Sequence, residues 1–225
     1  MAFKQIRISG TVTIVLPFEL PNKFFITGTD TDVGKTVVSA ILMTGLKAAY
    51  WKPVQSGLGG MTDTEWIRSV TGFAEEYFIP ETYLLSQPLS PHASAGYDGV
   101  EIQLKEFNLP GDEKYPRLIV EGAGGVMVPL NENQLMIDLM KYLNLPVLLV
   151  ARSMLGTINH TLLSLELLRR NGLEVLGVVM NGPKNQINKD AIESYGQVSV
   201  MAEVDKLPRI NFQTLDKAYI RYFRQ

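Results

Sequence analysis

Gly28-Thr29-Asp30-Thr31-Asp32-Val33-Gly34-Lys35-Thr36 is the stretch that decides how this chain folds. The apolar run Phe24-Phe25-Ile26 leads into it and Val37-Val38-Ser39-Ala40-Ile41-Leu42-Met43 leads out, so a glycine-bounded loop joins a strand to a helix. That is the setting a phosphate-binding loop requires. The glycines let the backbone curl until successive N–H groups point at one anion, and the helix behind adds the positive end of its dipole. Lys35 is within reach of outer phosphates, and the Thr36 hydroxyl is placed to ligate Mg²⁺. Five residues separate Gly28 from Gly34, one more than in the common motif, which assigns the loop to a subset of nucleotide-binding folds.

Working outward, the 225 residues suffice for one sizeable α/β domain and are short for two. A formal net charge of −2 gives no broad attraction for nucleic acid, and none is expected as a partner. The chain has no cysteine, which removes disulfides, thiolate metal sites and cysteine nucleophiles together and fits a reducing compartment, here expected to be the cytoplasm. No stretch approaches the ~20 apolar residues of a membrane span, so no membrane partner is expected. Near the start, Lys4 and Arg7 precede Val12-Thr13-Ile14-Val15-Leu16. That apolar core is too short for a secretory signal and no small-residue cleavage site follows it. Residues 1–22 read as an extra strand or a loosely attached leader, and 23–225 as a single domain.

Residues 36–46 carry no charge, so the helix there must be covered on most sides, as beneath a parallel sheet. Residues 52–57 (Lys-Pro-Val-Gln-Ser-Gly) read as a short strand ending in a polar loop. Thr62 or Asp63 caps a helix running through Trp66, Ile67 and Val70 to Gly72. From 73 to 108 the signal is poor, with prolines at 80, 88 and 91 marking turns. Residues 118–120 form a buried strand that meets Glu121-Gly122-Ala123-Gly124-Gly125. Further on come a helix at 137–143, a strand at 146–151, a helix at 157–170 stopped by Gly172, and a strand at 175–180. A weaker strand at 198–204 and a final helix from Leu215 close the chain. Alternating strands and helices, with continuously apolar strands, predict an α/β protein: a three-layer, mainly parallel sheet with helices on both faces. Ligands of such sheets sit at the carboxyl ends of the strands. The loops 27–36, 52–57, 121–125, 152–159 and 181–183 are therefore expected to converge on one crevice.

Several residues at those ends have chemical potential. Glu121, at the end of an apolar strand, is placed to face the phosphate loop and to ligate Mg²⁺ or its waters, against the alternative of a solvated strand end. Asp63 reads equally as a second carboxylate for the metal or as a helix cap. Lys52 is held extended by Pro53 and can fix an anionic substrate or a transferred phosphoryl group, although a lone lysine is more often a solvated surface charge. Gly156-Thr157-Ile158-Asn159-His160 opens a helix whose N–H groups suit a carboxylate, with simple capping by Thr157 the plainer alternative. His160 and His92 have no carboxylate beside them in sequence and read as structural. With no Gly-x-Ser-x-Gly elbow and no metal-binding histidine spacing, phosphoryl transfer is what remains.

The same residues, in order, resemble those of the dethiobiotin synthetase family. The resemblance lies in the loop 28–36, Lys52-Pro-Val-Gln-Ser-Gly57, Ser90-Pro-His92, Val120-Glu-Gly-Ala-Gly-Gly125, Gly156-Thr-Ile-Asn-His160 and Val179-Met-Asn181, and it covers about residues 23–205. The family closes the ureido ring of dethiobiotin from 7,8-diaminononanoate, CO₂, ATP and Mg²⁺, on a P-loop NTPase-like fold. The resemblance implies that one substrate amine becomes a carbamate, that ATP phosphorylates it to a mixed anhydride, and that the second amine closes the ring. It implies catalytic roles for Lys35 and Lys52, and Thr36, Asp63 and Glu121 as metal ligands. Nucleotide contacts would be Thr31, Asp32, Val33, Gly34, Lys35, Thr36, Glu121, Gly122, Ala123, Gly124 and Asn181. Thr31, Lys52 and Ser56 would meet the substrate. The family is a homodimer, and Gly156, Thr157 and Asn159 fall where a neighbouring subunit's helix holds the substrate's carboxylate tail. Where the family often has Gly-Glu-Ile-Pro in its last adenine-contacting loop, this chain has Ala202-Glu203-Val204-Asp205, which leaves the choice of nucleoside triphosphate open.

Two other classes compete. A nucleotide-switched ATPase that positions proteins or plasmids shares the fold and the dimer, but such proteins generally carry a further lysine early in the loop, and residues 29–33 have none. A glutamine-dependent amidation enzyme needs a glutaminase cysteine, which this chain lacks.

Overall fold

The computed structural model describes residues 20–224; of the strand or leader expected over residues 1–22, residues 1–19 lie outside the described residues. The elements run β1 (Lys23–Gly28), α1 (Lys35–Leu46), β2 (Ala49–Trp51), β3 (Val54–Ser56), α2 (Asp63–Thr71), β4 (Phe78–Ile79), β5 (Tyr83–Leu85) and α3 (Pro91–Asp98). They continue with β6 (Leu118–Gly125), α4 (Met136–Leu143), β7 (Val147–Arg152), α5 (Thr157–Arg170), β8 (Val175–Asn181), α6 (Gln186–Gly196), β9 (Val200–Val204) and α7 (Phe212–Phe223). Seven strands form one sheet in the order β4-β2-β6-β1-β7-β8-β9, with every neighbouring pair parallel. All carboxyl ends therefore share one edge. β1 sits inside the sheet between β6 and β7, so the phosphate loop emerges with both neighbouring strand ends beside it.

Period-two alternation along the strands splits the core into two faces. Phe24 and Ile26 of β1, with Ile119, Leu148 and Val179, pack toward α1 and α7. Phe25, Leu118 and Val120 face the other way, toward α4, while Leu149, Val178 and Met180 meet α5 and α6. Helix α1, without charge beyond Lys35, is buried from Val38 through Thr44. Its Gly45 allows α7 to approach, since a Cβ there would lie 1.9 Å from the Tyr219 ring. This is the three-layer parallel α/β architecture expected from the strand pattern.

Several details differ from expectation. Residues 52–57 do not extend the main sheet: β2 ends at Trp51, and β3 pairs instead with β5 in a separate two-stranded sheet. Pro53, which has no N–H to give a ladder, sits at the break. The glycines after Glu121 are not a loop; β6 runs on through Gly125, which pairs with Gly28. The poorly patterned stretch contains β4, β5 and α3, and α6 fills a segment to which the sequence assigned no element. The final helix starts at Phe212, where Asn211 caps it through the N–H of Thr214.

Candidate active site

The phosphate loop is shaped by backbone conformations that particular residues permit. Gly34 has φ 95°, and a Cβ on it would fall 2.0 Å from the Asn181 amide. Asp32 has φ 57°, a left-handed conformation that aspartate tolerates better than most residues. No side chain caps α1 and no acid lies in its first turn, so its N-terminal N–H groups remain for an anion. Val33 is fully buried, leaving only its backbone for a ligand, and its carbonyl accepts from Asn181 Nδ2 at 3.0 Å. Lys35 Nζ donates to the Asp30 carbonyl at 3.0 Å. Burial lowers the Lys35 pKa from 10.5 to about 8, with Lys52 adding to the effect and Glu121 opposing it.

Beside the loop, polar and charged side chains from α1, α2, β6 and the β2–β3 connection converge. Thr36 Oγ1 lies 3.1 Å from Asp63 Oδ1 and 3.0 Å from Glu121 Oε1. Lys52 Nζ pairs with Asp63 Oδ2 and donates to Glu121 Oε1 at 3.3 Å. Glu121 is wholly buried and Lys52 nearly so. Burial works to lower the Lys52 pKa, but the carboxylates of Glu121 and Asp63 outweigh it and hold the lysine above its ordinary value. Asp63 is both the first residue of α2 and part of this cluster, while Thr62 is the cap.

The expected single crevice is two cavities that share Thr31 and Asp32. The larger, about 920 Å³, is lined by Gly34, Lys35, Thr36, Lys52, Ser56, Asp63, Glu121, Ala123 and Gly124 among others. The smaller, about 450 Å³, is bounded by Asp30, Val33, Arg152, Met154 and Asn181. In the larger one the Ser56 hydroxyl is buried and has no hydrogen-bond partner among the described residues. Gly122 lies apart from both cavities: a Cβ there would be 2.8 Å from the Phe25 ring, so this glycine serves packing. Gly124, at φ 64°, brings the strand close to Thr31, whose Oγ1 would be 3.6 Å from a Cβ at that position. Gly156, Thr157 and Asn159 line neither cavity of their own chain. Thr157 is buried and its hydroxyl donates to the Arg152 carbonyl at 2.5 Å, whereas Gly156 and Asn159 are exposed. His92 and His160 are also exposed.

Residues overlooked in the sequence complete the arrangement. Ser39 Oγ and Tyr50 Oη donate to Glu121 Oε2 at 2.6 and 3.1 Å. Gln55 Oε1 accepts from the Asp63 N–H at 3.2 Å, fixing the start of α2. Arg152 Nη2 reaches Asp30 Oδ2 at 3.1 Å and the Thr31 carbonyl at 3.2 Å, tying the loop to β7. The spacing of Ser39 three residues after Thr36 was a usable signal for one shared helix face.

Mg²⁺ takes hard oxygen donors and needs only one or two carboxylates when phosphates and water supply the rest. The Thr36 hydroxyl with Asp63 and Glu121 meets that requirement, and among the described residues no cluster of three or more His, Cys, Asp or Glu offers a protein-only cage.

A parallel sheet with a glycine loop on its central strand, an uncapped helix behind it and Lys-Thr at the helix start defines a P-loop nucleotide-binding protein. A family profile described as an AAA domain matches residues 22–214. The MinC:MinD cell division complex of Aquifex aeolicus shares the fold at a TM-score of 0.54 and 13% identity, over 88% of this chain and 86% of that one. More specifically, the ATP-dependent dethiobiotin synthetase BioD of Paramagnetospirillum magneticum is 50% identical over 85% of this chain and 91% of its own length. That of Rhodopseudomonas palustris is 43% identical over 90% and 96%. The chain belongs to the dethiobiotin synthetase family.

Proposed function

We propose that this protein closes the ureido ring of dethiobiotin from 7,8-diaminononanoate, CO₂ and ATP. The observation that carries the reading is the gathering of Lys35, Thr36, Lys52, Asp63 and Glu121 on one cleft large enough for a triphosphate and a nine-carbon diamine. A free substrate amine adds to CO₂ and loses a proton, giving a carbamate. A carbamate oxygen attacks the γ-phosphorus and ADP leaves. The second amine then attacks the carbonyl carbon of the carbamic-phosphoric anhydride, the C–O bond to phosphate breaks, and the ring closes with loss of a proton.

The protein's part is positioning and electrostatics. Lys52, kept cationic by two acids, holds the carbamate oxygen and offsets negative charge on the transferring group. Lys35 and the first N–H groups of α1 hold the phosphates. Thr36, Asp63 and Glu121 would hold Mg²⁺, which when bound neutralises phosphate charge. Ser56 lines the same cleft and its buried hydroxyl has no hydrogen-bond partner among the described residues, which supports it as a substrate contact. Asn181, at the smaller cavity, contacts the nucleotide base.

The tail carboxylate of the diamine is assigned to Gly156, Thr157 and Asn159 of a neighbouring subunit in a homodimer. Two features support this. No side chain caps α5, and Met154 and Leu155 just before it are exposed apolar side chains, as a covered surface would use. The cysteine-free composition supports a cytoplasmic protein, and no helix among the described residues is long and apolar enough to cross a membrane.

The test is ATP-dependent fixation of labelled bicarbonate into an acid-stable product, with and without the diamine. Diamine-dependent incorporation is expected. ATP hydrolysis indifferent to the diamine would instead indicate a nucleotide switch.

A further inference from the structure

Glu121 is the one carboxylate buried outright among the described residues, and its two oxygens have different surroundings. Oε1 meets Thr36 at 3.0 Å and Lys52 at 3.3 Å, both residues of the cleft wall. Oε2 accepts from Ser39 and Tyr50, which are fully buried behind that wall. Local structure explains the convergence. Ser39 follows Thr36 by three residues, so one face of α1 presents both hydroxyls to the same carboxylate. Tyr50 pairs with Ile119 across β2 and β6, which puts its side chain on the sheet face that also carries Glu121, two residues further along β6.

We propose that Ser39 and Tyr50 are positioning residues that reserve Oε2 and leave Oε1 alone to the metal–nucleotide. A carboxylate free at both oxygens turns about its terminal torsion, which is broad. In this cluster it would then turn both oxygens toward the Lys52 ammonium, neutralising the lysine and withdrawing the oxygen offered to the cation. Two hydroxyls on one oxygen fix that torsion. The pair thereby divides the work of one carboxylate: one oxygen anchors it in the core, and the other serves the cleft. Outer donors of this kind change metal affinity or activity by roughly 10- to 100-fold when removed.

The inference rests on the proposed metal–nucleotide site, and the experiment separates the two. Calorimetry measures binding of ATP to wild type, Tyr50→Phe, Ser39→Ala and the double variant, once in EDTA and once as the Mn²⁺ complex. The readout is the factor by which Mn²⁺ tightens ATP. Each single variant is expected to shrink that factor roughly tenfold while leaving metal-free ATP binding unchanged. The double variant is expected to lose less than the product of the two, because both hydroxyls act on one oxygen. Circular dichroism checks that each variant is folded, and Ser39→Ala decides alone if Tyr50→Phe does not fold. A factor within about twofold of wild type, or an equal loss of metal-free ATP binding, overturns the positioning role and leaves the proposed function standing. A wild-type protein whose ATP binding is not tightened by Mn²⁺ overturns the metal site and this inference together.

Discussion

Lys35 and Lys52 are both buried lysines, yet their surroundings move their proton affinities in opposite directions, and the difference is testable. Lys52 is compensated by two carboxylates and stays cationic; Lys35 is held chiefly against a backbone carbonyl, and its pKa falls to about 8. For Lys52→Gln, turnover should drop by about two orders of magnitude or more while ATP binding by calorimetry is largely kept, since the lysine serves the reacting anion. Equal loss of both would reassign it to nucleotide anchoring. For Lys35 the sign follows from linkage. Its folded pKa of about 8 lies below the ordinary 10.5, so between these values the unfolded chain holds more protons and the nucleotide-free protein gains stability as pH rises. Lys35→Gln, which removes the buried charge, should therefore melt above wild type at neutral pH, with the gap narrowing across that window. A pH-independent gap would refute the assignment. The motif residues were legible because Gly-Lys-Thr after a strand has few other uses, and Glu121 because an acid at the end of an apolar strand is conspicuous. Tyr50 was not, since a tyrosine in an apolar strand reads as core, and Ser39 showed only the helix face it shares with Thr36 until the fold places Ser39 and Tyr50 on one carboxylate.

At the level of elements, α2 delivers Asp63 to the cleft beside Glu121 of β6, and its start is held three ways. The Thr62 hydroxyl accepts from the Glu65 N–H at 3.2 Å, Glu65 Oε2 accepts from the Thr62 N–H at 2.8 Å, and Gln55 takes the Asp63 N–H. Thr62→Ala should cost about 1 kcal/mol in denaturant unfolding and also raise the Mg²⁺ concentration needed for half-maximal activity, because Asp63 loses its fixed position. A stability loss with no change in Mg²⁺ requirement would mean that Gln55 suffices. The contact of α1 with α7 gives a second case. Gly45→Ala would put a methyl into the Tyr219 ring and should destabilise by about 1–3 kcal/mol, whereas Gly60→Ala, with nothing within 4 Å, should be nearly neutral. The long apolar strands and α5 were readable from sequence because each has periodicity enough to register. β4 has two residues and β5 three, too few for any period, and of the polar α6 only Ile192 and Gly196 are buried. The glycines of β6 read as a loop because their strand conformation comes from pairing with β1, a tertiary cause that composition cannot display.

On the scale of the whole molecule, the arrangement of one chain leaves the proposed carboxylate site away from its own cleft. Thr157 and Asn159 sit at the start of α5, beyond β7, and line neither cavity, while Lys52 stands on the opposite side of β1. The segment was legible as a glycine-led helix start open to an anion or to simple capping, but which cleft such a helix start would serve depends on assembly, which no local pattern encodes. If the tail site is supplied across a homodimer, Asn159→Ala should raise the KM for the diamine more than that for ATP. Lys52→Gln homodimers should supply no turnover of their own. Mixing the two variants under conditions of subunit exchange, and assaying at low diamine, should then restore activity. Half of the dimers pair unlike subunits, and each such dimer carries one cleft with both its lysine and its tail site intact, giving about a quarter of wild-type activity. A site completed within one chain predicts no gain on mixing, because every cleft would still carry one of the two lesions.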